Sequence, residues 1–186
     1  MRIIGGTYRS RTLNAPKGMT TRPTLDQTRE ALFNILQGRV ADAWFLDLYA
    51  GSGAVALEAV SRGAARAVLC DQSRAACACI RENIARLGCG EQARLLEMPD
   101  ARAVALLSRE KAQFDLIYLD PPYAMDLTPV LQSLRDAGLL AEGGMVIAEH
   151  DAGSEIVPPP GWGLIRRKVY RDTALSFYGP VEEENA

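Results

Sequence analysis

The chain has 186 residues, 48% of them hydrophobic and 24% charged, with a net charge of −2. That size suits one domain with a sizeable core, and the balance is that of an ordinary globular protein, excluding disordered and collagen-like classes. No apolar run approaches the ~20 residues needed to cross a bilayer, and the start, "MRIIGGTYRSR", has no apolar signal region, so a cytoplasmic protein is expected.

The first 43 residues read as an arm. "MRIIGG" and "SRTLNA" are expected to pair as a short hairpin, and "RPTLDQTREALFNIL" to form a helix. Thr24 is its expected cap, Gln27 holds the capping-box position, and Leu25, Leu32, Phe33, Ile35 and Leu36 give it an apolar face. This arm is expected to be a lid or substrate-gripping extension of a domain spanning 44–179. The acidic end, 180–186, is expected to be a disordered tail.

From residue 44 apolar strand-like runs alternate with helical patterns. "WFLDLYA" precedes a helix at 53–62, "RAVLCD" one at 73–87, "ARLLEM" one at 100–110 and "FDLIYLD" one at 126–138, and "GGMVIAEH" closes the series. Such alternation implies a parallel sheet with helices on both faces. After the loop "VPPPGWG", "GLIRRKVYRD" and "TALSFYG" follow each other almost without a loop, as an antiparallel edge hairpin does. The expected fold is α/β and Rossmann-like, with a seven-stranded, mostly parallel sheet.

Cys70, Cys77, Cys79 and Cys89 include no C-x-x-C pair, so reduced structural thiols are expected and no metal site. Positive charge is concentrated. Residues 1 to 25 contain Arg2, Arg9, Arg11, Lys17 and Arg22 and no acid, and "IRRKVYR" is a second basic run. Such patches mark either a polyanion footprint or solvated edges.

"DLYAGSGAVALEA" places Gly51 and Gly53 where a strand turns into a helix, so backbone amides at the helix start are expected to face a ligand. Asp71 ends the second strand, where a carboxylate binds ribose hydroxyls. Gly51-x-Gly53-x-x-Ala56 with Asp71 also meets a relaxed dinucleotide fingerprint, so a nicotinamide-dependent oxidoreductase stands beside other Rossmann-like enzymes. Asp47, ahead of the glycines, would repel a pyrophosphate and attract the ammonium of an amino acid, as S-adenosylmethionine carries. Asp100 opens the helix after strand three, either to accept from an adenine amino group or simply as a first-turn acid.

"FDLIYLDPPYAM" ends a buried strand on Asp120, Pro121, Pro122 and Tyr123. Proline fixes its own φ and holds the preceding residue extended. The Asp120 carboxylate and the Pro121 carbonyl become two preset acceptors, matching the two hydrogens of an exocyclic amino group, while Tyr123 offers a stacking face. Two such hydrogen bonds make a delocalised amino nitrogen a better nucleophile and stabilise the charge that develops on methyl transfer. The target base must be flipped out to reach them.

"DLYAGSG", Asp71 and "DPPY" together resemble a class I S-adenosylmethionine-dependent methyltransferase. "MRIIGGTYRSRTL", "TRPTLDQTREALFNIL" and "LDLYAGSGAVALEAVSRGA" resemble the RsmD family, over about residues 1 to 179. The resemblance implies methylation of guanine N2 in small-subunit ribosomal RNA. It implies that Asp47, Gly51 and Gly53 line the methionine side of the cofactor, Asp71 the ribose and Asp100 the adenine. Asp120, Pro121, Pro122 and Tyr123 would hold the base, with Arg22, Pro23 and Thr24 bordering the cofactor pocket and RNA entrance. Arg9, Arg11, Arg166 and Arg167 are phosphate-contact candidates. His150 is expected to be a satisfied strand-end histidine and Trp162 a loop-packing residue. A monomer is expected, acting on RNA alone or within a ribosomal subunit. The other reading of the tetrapeptide is a DNA or RNA adenine-N6 or cytosine-N4 methyltransferase, against which stands the lack of an added target-recognition domain.

Overall fold

The computed structural model describes residues 1–16, 23–122 and 125–181. Arg22, Tyr123 and the acidic residues of the tail, Glu182 to Glu184, lie outside the described residues. The elements in chain order are α1 (Pro23–Ile35), β1 (Trp44–Asp47), α2 (Ala54–Ser61), β2 (Arg66–Asp71), α3 (Arg74–Leu87) and β3 (Ala93–Glu97). They continue with α4 (Asp100–Arg109), β4 (Phe114–Leu119), α5 (Thr128–Asp136), β5 (Leu140–Asp151), β6 (Trp162–Tyr170) and β7 (Thr173–Pro180).

The strands form one seven-stranded sheet in the order β3-β2-β1-β4-β5-β7-β6. β1 to β5 are parallel, and β7 runs antiparallel between β5 and the edge strand β6. This is the expected sheet and edge hairpin. Strand order reverses between β1 and β4, so a crevice opens at their carboxyl ends, the position where open α/β sheets take ligands.

Alternation along the buried strands sends side chains to two cores. Phe45, Leu69 and Leu116 join α1, α2 and α3 on one face. Leu46, Cys70 and Ile117 join α4 and α5 on the other. A register shift between Phe114 and Leu116 turns Phe114 to the second core, although period-two alternation would put it with Leu116.

One local expectation is corrected and one is met. α1 begins at Pro23, so Thr24 lies inside its first turn and is not the cap; proline is pre-shaped for the first helical position. The N-terminal hairpin is formed: Arg2 bridges Thr12, and Ile3 donates to the Arg11 carbonyl at 3.0 Å, Ser10 to the Ile3 carbonyl at 2.9 Å and Leu13 to the Met1 carbonyl at 2.9 Å. The amides of its turn are taken from elsewhere. The Glu58 carboxylate accepts from the amides of Ile4 and Gly5 at 2.8 Å each, and Ser61 takes those of Thr7 and Tyr8. Asn83 continues the attachment, accepting from Asn14 at 2.8 Å and donating to the Ser52 carbonyl at 2.9 Å. The described part of the arm is therefore docked on α2 and α3.

Candidate active site

The β1–α2 turn is held from both sides. Leu48 donates to the Tyr118 carbonyl and Ala50 to the Cys70 carbonyl. Gly51 and Gly53 have φ of 56° and 79°, the left-handed region that suits glycine. The two glycines then do different work. Gly51 lies on the crevice wall. Gly53 is buried behind it, where a Cβ would come within 3.0 Å of a Leu69 methyl.

Asp71, at the end of β2, accepts from the Gly51 amide at 2.9 Å and the Ser73 amide at 2.8 Å. The carboxylate thus ties the glycine turn to the β2 end. The Gly51 amide is spent on it, and each Asp71 oxygen keeps a second lone pair for a ligand hydroxyl. Asp100, first residue of α4, accepts from the Tyr49 hydroxyl at 2.6 Å. Burial, with help from that bond, pushes the Tyr49 phenol well up. Tyr49 therefore stays protonated and a donor.

These groups line a cavity of about 740 Å³, within the ~300–1,000 Å³ of whole-ligand pockets. Its charged lining is Asp71, Asp100, Asp120 and Glu149, and no Lys, Arg or His stands among the described residues around it. A second cavity of about 270 Å³ lies alongside. The two share Asp120, Pro121, Pro122, Met125 and Glu149 as a common wall. His150, Ser154 and Ile156 close the smaller one.

Asp47 is 1% exposed at the end of β1 and lines neither cavity. Its carboxylate accepts from the Tyr49 amide at 3.4 Å. Burial, then repulsion from Asp71, raises its pKa to about 7. Burial also lifts the Cys70 thiol to about 12, so it stays a neutral core group donating to the Met98 carbonyl.

Asp120 follows β4 directly. Leu119 pairs with Ala148, so one step further places Asp120 beside Glu149 of β5. Asp120 is exposed at the rim of the two cavities; the crowding of its carboxyl, then repulsion from Glu149 and Asp47, raises it above its usual range, and that exposure tempers the burial effect. Glu149, 9% exposed, is raised by burial and partly restored by a hydrogen bond from the Tyr118 hydroxyl. Two carboxyls one strand spacing apart resist double ionisation and titrate as a pair.

The arginine candidates stand away from this wall. Arg9 and Arg11 are exposed on the docked arm, Arg11 stacking over the Tyr8 ring at 5.4 Å. Arg166 and Arg167 are exposed on β6, and Arg167 donates to the Ala152 carbonyl at 2.5 Å, next to the loop closing the smaller cavity. His150 is satisfied: Nε2 meets the Ser176 hydroxyl at 2.8 Å and Nδ1 meets Asp151 and Ser154 at 2.9 Å. Trp162 packs against the second core. Sequence reasoning gave no site role to Tyr49 or Glu149. Tyr49 carried a signal, standing between Asp47 and the glycines, whereas Glu149 enters only through lateral pairing with β4.

Fold and site together define a Rossmann-like methyltransferase. Residues 1–179 match the family described as Conserved hypothetical protein 95, and the chain belongs to that family, the RsmD family. Ribosomal RNA small subunit methyltransferase D of Escherichia coli (strain K12) is 36% identical over 180 residues, 96% of this chain and 89% of the relative. Among solved structures, yhhF from Escherichia coli superposes with a TM-score of 0.86 at 35% identity, covering 98% of this chain and 99% of that one. A hypothetical protein of Thermus thermphillus gives a TM-score of 0.82 at 34% identity, covering 95% and 98%.

Proposed function

We propose that the protein transfers a methyl group from S-adenosylmethionine to the exocyclic N2 amino group of a guanine in small-subunit ribosomal RNA. One observation carries the cofactor: the larger cavity is walled by four carboxyl side chains and no cation among the described residues. A sulfonium and an ammonium suit such a wall, while the pyrophosphate of a nicotinamide dinucleotide is repelled by it. The substrate class follows the name of the Escherichia coli relative.

Asp71 would hold the ribose through its spare lone pairs, and Asp100, oriented by Tyr49, the adenine. Gly51 gives the cofactor a close approach, with Gly53 packing the turn behind it. Asp47 acts on the methionine end through its field, from beneath the wall. By the family resemblance, Arg22 and Thr24 would border the entrance.

S-adenosylmethionine, when bound, supplies a methyl carbon on cationic sulfur; the guanine N2 lone pair takes that carbon, the carbon–sulfur bond breaks with its electrons staying on sulfur, and one N2 proton leaves. Asp120 and the Pro121 carbonyl accept the two N–H groups, pyramidalising the nitrogen and stabilising its developing charge. Asp120 is the nearest base for the departing proton, a task that suits a carboxyl held above its usual range. Pro122 fixes the backbone, and the family resemblance gives Tyr123 the role of stacking on the base. The cavity of about 270 Å³ falls below the whole-ligand range and suits a single flipped base. Arg9, Arg11, Arg166 and Arg167 meet RNA phosphates. The chemistry needs no metal, and the protein works as a cytoplasmic monomer.

The test is transfer of labelled methyl from S-adenosylmethionine to unmodified small ribosomal subunits, naked ribosomal RNA and duplex DNA, followed by nucleoside analysis. Label in N2-methylguanosine from either ribosomal substrate supports the reading. Label in methyladenine or methylcytosine, or in DNA alone, overturns it.

A further inference from the structure

Four features converge on Glu149. It sits one strand over from Asp120, by the register of β4 and β5, about 4.8 Å across the sheet. It lines both cavities, so it borders the place where a base presented to Asp120 lies. The Tyr118 hydroxyl donates to Oε2 and fixes the carboxyl in place. Among the described residues no hydrogen bond falls on Oε1, in a side chain otherwise nine-tenths buried.

We propose that Glu149 is the residue that reads guanine, by accepting the N1–H of the target base while Asp120 accepts from the neighbouring N2 amino group. This rests on the guanine-N2 reading above. Its logic is the order of donors on the base edge. Guanine presents two adjacent donors, N1–H and N2–H, and two adjacent carboxyls are their complement. Adenine and cytosine present an amino donor beside a ring-nitrogen acceptor, and an acceptor facing that lone pair is repelled and left unpaired. A paired-carboxyl wall thus turns an amino-methylating tetrapeptide into a guanine-selective one. The alternatives in the smaller cavity are less suited: Asp126 is exposed and accepts from the Thr128 amide. Both ring nitrogens of His150 are occupied, and Glu155 is exposed on the loop.

The experiment uses small subunits reconstituted with RNA carrying either guanosine or diaminopurine riboside at the methylated position. Diaminopurine keeps the N2 amino group but has an unprotonated N1. At pH 8 the wild type is expected to prefer guanosine by about tenfold or more in kcat/KM, the scale of one base-edge contact. Glu149→Gln, whose amide can donate to the bare N1, is expected to cut that ratio by about tenfold. Glu149→Ala is expected to lower the ratio by losing guanosine activity while diaminopurine activity holds. Melting temperature should match wild type in any variant so used, and a change in cofactor affinity, which Glu149 can cause as a wall of the larger cavity, cancels in the ratio of two bases on one enzyme. An unchanged ratio in both variants, or a wild type indifferent to the two bases, overturns the assignment. Absence of N2-methylguanosine from the guanosine substrate with wild-type enzyme overturns the guanine reading itself, and is seen before any variant is made.

Discussion

The Tyr49 hydroxyl donates to the Asp100 carboxylate at 2.6 Å, joining the end of β1 to the first turn of α4 across the larger cavity. A bond of this kind, to a carboxylate, is among the stronger protein hydrogen bonds. It fixes one Asp100 oxygen and leaves the other for a ligand amino group. Tyr49→Phe removes only the hydroxyl. We expect S-adenosylhomocysteine to bind roughly tenfold more weakly by calorimetry, from the ~1.5 kcal/mol lower end for bonds to charged groups. Unchanged affinity would show that Asp100 needs no such anchoring.

Glu58 is fully buried and gathers much of the arm's attachment. It accepts from the amides of Ile4 and Gly5, pairs with Arg62 at 2.8 Å and lies 3.8 Å from the buried Arg29, whose Nε has no hydrogen-bond partner among the described residues. Glu58→Ala would leave the Arg62 guanidinium and two amides without their acceptor, while Arg29 keeps Asp26 and the Arg2 carbonyl. Breaking a buried pair from one side costs about 3–5 kcal/mol, so the urea midpoint should fall steeply and protease should cut within residues 1–16. A loss under about 1 kcal/mol would contradict the coupling.

Asp47 predicts a pH-dependent stability with a definite sign. Its pKa is raised from 3.8 to about 7 by burial and then by Asp71. The folded state therefore holds a proton that the unfolded state gives up. The associated stability is complete below the unfolded value and is lost as pH rises through about 7. Asp47→Asn cannot ionise. Between pH 5 and pH 8 the wild type should lose about 2–3 kcal/mol relative to that variant, at ~1.4 kcal/mol per pH unit below the folded pKa. A pH-independent difference in urea unfolding would mean that Asp47 is ordinary.

How much of this was legible in the residues depends on whether the cause was local. The sheet was legible because buried parallel strands read as apolar runs, and "FDLIYL" and "RAVLCD" are such runs. Asp71 and Asp120 were legible as strand-end carboxylates, since strand ends in an open α/β sheet open on one crevice. The N-terminal hairpin was legible, but its docking was not, because Glu58, more than 50 residues away, takes the Ile4 and Gly5 amides. Thr24 misled because Pro23 starts the helix one residue earlier. Glu149 was invisible as a site residue, because its meaning comes from lying next to β4 in the sheet. Gly53 looked like a ligand-facing glycine, yet its lack of a Cβ serves packing against Leu69.

The central claim is that Asp120 stands at the junction of a cofactor cavity and a base cavity and acts on the base. Asp120→Ala tests it, with S-adenosylhomocysteine binding and single-turnover methyl transfer measured on the same preparation. Transfer should fall by about 10²–10³, the scale of losing one preorganised electrostatic contact, while cofactor affinity changes by less than about threefold, under 1 kcal/mol. Equal loss of binding and transfer would make Asp120 a cofactor-site or structural residue. Retention of both would remove it from the chemistry.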